Sequence, residues 1–215
     1  MFCHRVVWIS VVALSAVPGF CNDLIDTFTS EKFETRTAER GDWSFRAGVA
    51  SVVSDPVLYK KYANHGPILK WSVDCSQGET AFAMKPSDCQ RVVFTLNDDG
   101  HVFRISLINP EKAMSPWQAK SKSRMIAWAE KSSKTNKGDS LMPRGFPSLG
   151  ELDNKWTNVS VAIHADTAVV TIGDFQTEIQ HKAMQREKSQ ITISFASGSL
   201  QVRDFCFQGN KRDSR

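Results

Sequence analysis

The sequence predicts an all-β fold, an antiparallel β-sandwich of two sheets with jelly-roll topology. Apolar and polar side chains alternate in several separate segments, which is the period of a strand with one buried face. Turn-forming residues separate these segments, and no segment carries a helical stripe of comparable strength. The composition, 41% hydrophobic and 23% charged over 215 residues, is typical of a globular protein. We therefore expect one β-sandwich domain over residues 22–215.

The first twenty-one residues differ in kind from the rest. An apolar stretch from Val6 to Val17 follows a single charge, Arg5. This layout is typical of a secretory signal peptide, and the stretch is shorter than the roughly 20 residues that a membrane-spanning helix needs. Small residues at positions 19 and 21 favour cleavage before Asn22. These features predict a secreted or periplasmic protein whose mature chain has no membrane span.

Strands are predicted along most of the mature chain. The early segments "DWSFRAGVASVV" and "GPILKWSVDC" are the first, and "RVVFTLN", "HVFRISLI", "NVSVAIH" and "QITISF" carry the clearest alternation. The predicted core residues of these four segments and of the last strand are Val92, Phe94, Leu96, Phe103, Ile105, Leu107, Val159, Val161, Ile163, Ile191, Ile193, Phe195, Leu200 and Val202. The alternation slips after Val202, which predicts a β-bulge near Arg203 and Asp204.

The segment "NDDG" between two of these strands combines carboxylates and an amide in front of His101. Asn and Asp bond their own backbone and Gly100 accepts a positive φ, so a hairpin turn accounts for every residue. A calcium loop would need further oxygen ligands and a distal glutamate. The chain also lacks a phosphate-cradling glycine loop, a CxxC pair and an HExxH motif, so neither a metal site nor a cofactor is predicted.

A basic segment at about residues 109–151 interrupts the strand pattern and is predicted as a loop insertion. Between Glu111 and Gly150 it has eight Lys or Arg against three acids, and "RMIAWAEKSS" within it is compatible with a short helix. A binding loop and a mobile excursion are equally consistent with such an insertion. Trp117 and Trp128 are candidates for stacking on a sugar ring, although Trp128 is equally suited to anchor the loop. The net charge of +4 without a dense basic run argues against nucleic acid as a partner.

Three cysteines remain after the predicted cleavage. Cys75 and Cys89 flank a short segment, and in an oxidising compartment a disulfide between them is expected to contribute about 3 kcal/mol. Cys206 lies among aromatic residues and is interpreted as a buried small hydrophobe.

The faces of the predicted strands opposite the core offer a candidate site. Arg91, Thr95, Arg104 and Ser106 share one face of the central hairpin, and neighbouring strands are expected to add Ser160, Gln190, Thr192 and Ser194. Two guanidiniums among hydroxyls would suit a glycan with a carboxylate or another oxyanion, although a solvated surface has the same pattern. His181 is the candidate for moving a proton near neutral pH.

Three segments, "GDWSFRAGVASV", "KWTNVSVAIHADTAVVTIGDFQTEIQH" and "KSQITISFASGSLQVRDFCF", resemble the 3-keto-disaccharide hydrolase-like family of secreted bacterial proteins. The resemblance spans about Asp26 to Phe207 without the basic segment. It implies a concanavalin A-like β-sandwich, an architecture that laminin-G-like domains share, and an activity towards glycosides oxidised at the sugar 3-position. The family's Asn-Ser-Gly-Ile strand and its Glu-x-Gln-x-x-Asp segment are absent here.

Two functional hypotheses follow. The first is a hydrolase or lyase of 3-keto-glycosides, in which Arg104 and Arg91 orient the substrate and His181 transfers a proton. The second is a non-catalytic module for glycan binding or surface interaction that uses the basic segment with Trp117 and Trp128. Both predict a carbohydrate or glycoconjugate partner, and the sequence leaves the oligomeric state open.

Overall fold

A computed structural model describes residues 24–113 and 115–210 of the chain. The predicted signal peptide, residues 1–21, lies outside the described residues. The described strands are β1 (Leu24–Asp26), β2 (Arg36–Glu39), β3 (Ser44–Arg46), β4 (Val49–Val53), β5 (Ile68–Cys75), β6 (Gln77–Ser87), β7 (Arg91–Asn97), β8 (His101–Ile108), β9 (Arg124–Ala127), β10 (Asp139–Leu141), β11 (Thr157–His164), β12 (Thr167–Ile172), β13 (Phe175–Gln180), β14 (Lys188–Ala196) and β15 (Ser199–Asn210). The short helices are α1 (Pro56–Lys61) and α2 (Pro116–Ala119), with 3₁₀ turns at Pro110–Lys112, Leu149–Leu152 and Lys182–Gln185.

The strands form two antiparallel sheets. One has eight strands in the order β13-β12-β11-β6-β15-β4-β3, with β1 also paired to β15. The other has seven strands in the order β10-β9-β8-β7-β14-β5-β2. This architecture confirms the predicted antiparallel β-sandwich. Within the described residues, no helix is both long enough and apolar enough to cross a bilayer.

The core lies between the sheets and is built from every second side chain. All fourteen core residues predicted from the alternation are buried. Trp71 of β5 stacks on Phe205 of β15 with 3.7 Å between ring centroids, and Phe82 of β6 packs on Phe94 of β7 at 5.8 Å. Because these ring pairs join opposite sheets, they bury large apolar areas where the two layers meet.

Two local predictions are confirmed. The "NDDG" segment is the turn between β7 and β8, in which the amide of Asp98 donates to the carbonyl of Gly100 at 2.8 Å. In β15 the pairing with β6 shifts between Arg203 and Cys206, and Asp204 has a φ of 55°. This bulge restores the inward direction of the last aromatic side chains.

The basic segment is not a loop throughout. Its residues Arg124–Ala127 form β9, which pairs with β8, and Asp139–Leu141 form β10, which pairs with β9. The prediction that "RMIAWAEKSS" could form a short helix is therefore wrong. Met125 and Ala127 are fully buried, so packing against the core outweighs the helix propensity of these residues.

The predicted disulfide between Cys75 and Cys89 is also wrong. Both residues are free thiols, and they lie beyond opposite ends of β6. That strand has 11 residues, which span roughly 35 Å at about 3.3 Å per residue. A disulfide needs Cα atoms within about 7 Å of each other, so no local movement can join them. Burial raises the pKa of Cys75 to about 11 and that of Cys89 to about 12, which keeps both protonated.

Candidate functional site

The outer face of the seven-stranded sheet carries a mixed surface, in which arginines and small polar residues lie beside apolar ones such as Val93 and Ile126. The sheet register places Thr95 of β7 beside Arg104 of β8 and Thr192 of β14. Further along, Ser106 lies opposite Arg124 of β9. Of the neighbouring residues that the sequence assigned to this face, Gln190, Thr192 and Ser194 lie here. Ser160 does not, because β11 belongs to the other sheet.

Three adjoining cavities open on this face, and together we call them the groove. Their volumes are about 320, 470 and 550 Å³. Arg104 lines all three, Arg91 lines the first two, and Arg124 lines the last two. Arg104 is thus the centre of the groove, and three cavities that meet at this residue leave room for an extended ligand.

The groove is strongly basic. Its cationic lining residues are Arg40, Arg91, Arg104, Lys120, Lys122, Arg124, Lys134 and Lys137. Among the described residues, no aspartate or glutamate lines any of the three cavities. Cations that converge in a cleft with no acid among them produce a positive potential that attracts anions.

Arg104 is held by a neutral histidine. Its Nη2 donates to Nε2 of His101 at 2.5 Å, and Nδ1 of His101 contacts Oδ1 of Asn97 at 2.7 Å. Because a guanidinium only donates, Nε2 must accept, which leaves the imidazole proton on Nδ1 for the bond to Asn97. The turn residue Asn97 therefore fixes the tautomer of His101, and His101 fixes the direction of Arg104.

Trp128 supports the same pair. The guanidinium carbon of Arg104 lies 5.4 Å from the indole centroid, and the His101 ring lies 5.2 Å from it. Trp128 is 4% exposed. Behind it, a Cβ at Gly138 would lie 2.7 Å from the indole, so only a glycine leaves room for the ring. The indole is a fixed wall that cation–π attraction makes favourable for Arg104.

Burial and neighbouring charge shift the pKa values of the pair. Burial, followed by the charge of Arg104, lowers the pKa of His101 to about 4. Burial, followed by repulsion from Arg91 and Arg124, lowers the pKa of Arg104 to about 10. Near neutral pH the imidazole is uncharged and the guanidinium remains charged. The three arginines therefore repel one another, and among the described residues none of them pairs with a carboxylate.

The lowered pKa of His101 predicts an acid-sensitive fold. The unfolded chain takes up a proton at His101 near its ordinary pKa of 6.5, whereas the folded protein does so only near 4. The stability that depends on neutral His101 is thus fully present above 6.5 and is lost as the pH falls towards 4. We expect the unfolding free energy of His101→Gln to decrease less than that of the wild-type protein between pH 6.5 and pH 4. Urea titration at several pH values measures this difference. If the unfolding free energies of both proteins depend on pH with equal slopes, the lowered pKa assigned to His101 is contradicted. The charge that acts on the ring is that of Arg104, and the other cations that line the cavity of about 550 Å³ with His101 are Arg124, Lys134 and Lys137.

The structure brings two of the three proposed catalytic residues together. Arg91 and Arg104 line the same cavity, but His181 lines none of the three. Nε2 of His181 lies 2.9 Å from Oδ2 of Asp139, and its Nδ1 accepts from the amide of Ala183 at 3.1 Å. Both ring nitrogens are engaged at the end of β10. His181 therefore does not lie with the two arginines in the groove.

The tryptophan predictions have different outcomes. The side chain of Trp117 lies outside the described residues. Trp128 lines one cavity, but its 4% exposure leaves no open face for stacking on a sugar, so the structure supports the alternative of an anchor. Trp156 is 36% exposed, and its ring centroid lies 4.3 Å from the guanidinium carbon of Arg203.

Sequence reasoning missed Arg124, His101 and Asn97 as parts of the groove. Arg124 and Ile126 alternate with buried Met125 and Ala127, but four residues are too few for a period-two signal to stand out. His101 and Asn97 were assigned to the hairpin alone, and they do belong to it. No group of three or more His, Cys, Asp or Glu side chains suited to a metal occurs in residues 24–113 and 115–210.

No protein-family model matches the chain, and no curated protein matches its sequence. Solved structures do resemble it. The CBM2 module of the evolved Dit of Lactobacillus casei BL23 phage J-1 has a TM-score of 0.60 and 10% identity, and the match covers 93% of this chain and 100% of that one. A Bacillus licheniformis β-glucanase has a TM-score of 0.54 and 12% identity, with 88% and 98% covered. A tetrameric galectin from the sponge Cinachyrella has a TM-score of 0.51 and 17% identity, with 65% and 97% covered.

These likenesses define the class of fold. The chain has a jelly-roll β-sandwich of the kind found in β-glucanase and galectins. At such low identity the likeness is one of fold alone, so function must be argued from the groove.

Proposed function

We propose that this protein binds carbohydrate in the groove on the outer face of the seven-stranded sheet and acts as a secreted glycan-binding module. The observation that carries the proposal is the set of adjoining cavities centred on Arg104, lined by arginines and by the half-buried polar side chains of Gln190 and Ser194. Guanidinium and hydroxyl groups are suited to sugar hydroxyls and their substituents. The names of the neighbours, a CBM2 module, a galectin and a β-glucanase, are consistent with it.

Hydrolysis or elimination of a 3-keto-glycoside, which the family resemblance implies, is the competing proposal. It requires a group that moves a proton beside the bound sugar. His181 is engaged away from the groove with Asp139 and Ala183. His101 lies in the groove, but its Nε2 accepts from Arg104 and its pKa of about 4 makes it a weak base. The geometry therefore supports binding better than catalysis.

The proposal predicts that Arg104→Ala weakens glycan binding by at least about tenfold, because a charged hydrogen-bond donor is lost from the centre of the groove. The measurement is retention on a glycan array, followed by titration calorimetry with the retained glycans. Arg46→Ala is the matched control, since it removes an exposed arginine of β3 in the other sheet and the same unit of charge.

Two results would count against the proposal. Absence of retention of any glycan by the wild-type protein would reject carbohydrate binding, and equal loss in Arg104→Ala and Arg46→Ala would reject the groove as its location. Mass spectrometry of the same mixtures tests the competing proposal, because a hydrolase or lyase releases products that a binding module does not.

A further inference from the structure

We propose that the groove selects glycans that carry a carboxylate, sulfate or phosphate group, because Arg104 is fixed there by neutral partners that leave its charge uncancelled. This inference rests on the proposed function and names the ligand class of the same site.

Arg36 and Arg104 are held in opposite ways. Arg36 donates from Nη1 to Asp26 at 2.7 Å, so its charge is cancelled by a carboxylate. Arg104 donates to neutral His101 and lies over the face of Trp128. An imidazole acceptor and an indole face restrict the guanidinium as a carboxylate would, but they add no negative charge. Arg104 is therefore positioned while its full charge remains available to a ligand.

The surroundings of Arg104 strengthen this charge. Arg91 and Arg124 line cavities with it, and their repulsion contributes to its lowered pKa. Its Nε is buried and has no hydrogen-bond partner among the described residues. An anion in the groove would supply an acceptor for the guanidinium and reduce the repulsion among the three arginines. No acid among the described lining residues competes for that position.

A neutral sugar would satisfy the uncancelled charge of Arg104 less well than an anionic one. Its hydroxyls are weaker acceptors for a guanidinium than a carboxylate or sulfate, which bind with shorter and stronger charge-assisted bonds. The half-buried side chains of Gln190 and Ser194, which line a cavity with Arg104, suit the uncharged part of the ligand. The combination indicates a sugar bearing an anionic substituent, rather than a bare anion or a neutral chain.

The ligand class is tested with pairs of glycans that differ in charge alone. The probes are a galacturonate oligosaccharide with its methyl ester, and a sulfated carrageenan oligosaccharide with its desulfated form. In at least one pair, we expect the charged member to bind the wild-type protein at least about tenfold more tightly by calorimetry. Equal affinities within both pairs would overturn the inference while leaving carbohydrate binding intact. Equal binding of poly-glutamate would overturn it as well, because charge without sugar would then suffice.

Variants of His101 test how the charge is preserved. His101→Gln keeps a neutral acceptor and is expected to retain most of the affinity for the charged probe, whereas His101→Ala, which frees Arg104, loses about tenfold. His101→Glu still holds the guanidinium but cancels its charge, so we expect a loss of about a hundredfold for the charged probe and little change for the neutral one.

Thermal unfolding of each variant verifies that the fold is retained. Equal affinity of His101→Glu and His101→Gln for the charged probe would overturn the role of His101. If Arg104→Ala also leaves binding unchanged, the proposed site itself fails, so the two failures can be told apart.

Discussion

Replacement of Asp26 by alanine is expected to lower the free energy of unfolding by about 3–5 kcal/mol, a large part of the stability of a typical domain. Asp26 and Arg36 form an ion pair at 2.7 Å in which each side chain is 1% exposed. Without the carboxylate, the guanidinium would remain buried with its charge uncompensated. The cost of that buried charge is the main reason for the size of the effect.

The position of this ion pair explains why nothing nearby can compensate. Asp26 belongs to β1 in one sheet, and it also accepts from the indole Nε1 of Trp71 in the other sheet at 2.9 Å. The guanidinium carbon of Arg36 lies 3.7 Å from the ring centroid of Phe45. Its Nη2 donates to the carbonyls of Ser30 and Glu31. Aromatic rings and backbone fill the remaining space around the pair, so water cannot easily replace the carboxylate.

The matched control is Glu39→Ala. Glu39 forms a pair with Lys70 at the same distance, 2.7 Å, but the two side chains are 38% and 24% exposed. Exposed pairs contribute about 0–1 kcal/mol, since water screens and replaces them. Urea unfolding followed by tryptophan fluorescence measures both variants. Similar losses for Asp26→Ala and Glu39→Ala would contradict the structural role assigned to the buried pair.

The sequence predicts the fold well where one physical signal dominates. In β7 and β8 every second residue faces the core because a sheet with one dry face imposes a period of two. The same alternation predicts that Arg91 and Arg104 share the opposite face. The slip after Val202 predicts the bulge in β15, since an extra residue is the simplest way to keep Leu200 and Phe205 both inward.

The sequence fails where the answer depends on which strands become neighbours. Cys75 and Cys89 look close along the chain, but the residues between them form a long strand instead of a loop. His181 is placed by the turn that precedes β14, and Ser160 by the pairing of β11 with β6. Neither position follows from local spacing, because pairing partners far apart in sequence decide it.

The groove combines both cases. Asn97 and His101 were correctly interpreted as hairpin residues, yet the same hairpin aims Asn97 at His101 and His101 at Arg104. The hairpin turn positions residues of the groove, so interpreting the segment as a turn does not exclude a role in the site. The pairing of β9 with β8 does not follow from the sequence pattern. This pairing adds Arg124 and the adjacent Trp128 to the lining of the groove.

Replacement of Gly66 by alanine is the second large effect that we expect, a loss of about 3 kcal/mol of stability. A Cβ at Gly66 would lie 1.9 Å from the backbone oxygen of Phe195. Phe195 belongs to β14, which is paired with β5 on one side and β7 on the other. The strand cannot move away without breaking hydrogen bonds to one of its neighbours. Since Gly66 also lines the groove, any displacement moves a wall of the candidate site.

Gly145→Ala separates lack of space from backbone strain. Nothing lies within 4 Å of a Cβ at Gly145, but its φ of 76° is unfavourable for alanine, at a cost of about 1 kcal/mol. Gly66 has the opposite problem, because its backbone would accept alanine but its surroundings would not. Urea midpoints should therefore fall much further for Gly66→Ala than for Gly145→Ala. Equal midpoints would mean that β14 can yield, and a central strand that yields would not hold the arginines of β7, its neighbour, and of β8, the next strand, in a fixed groove.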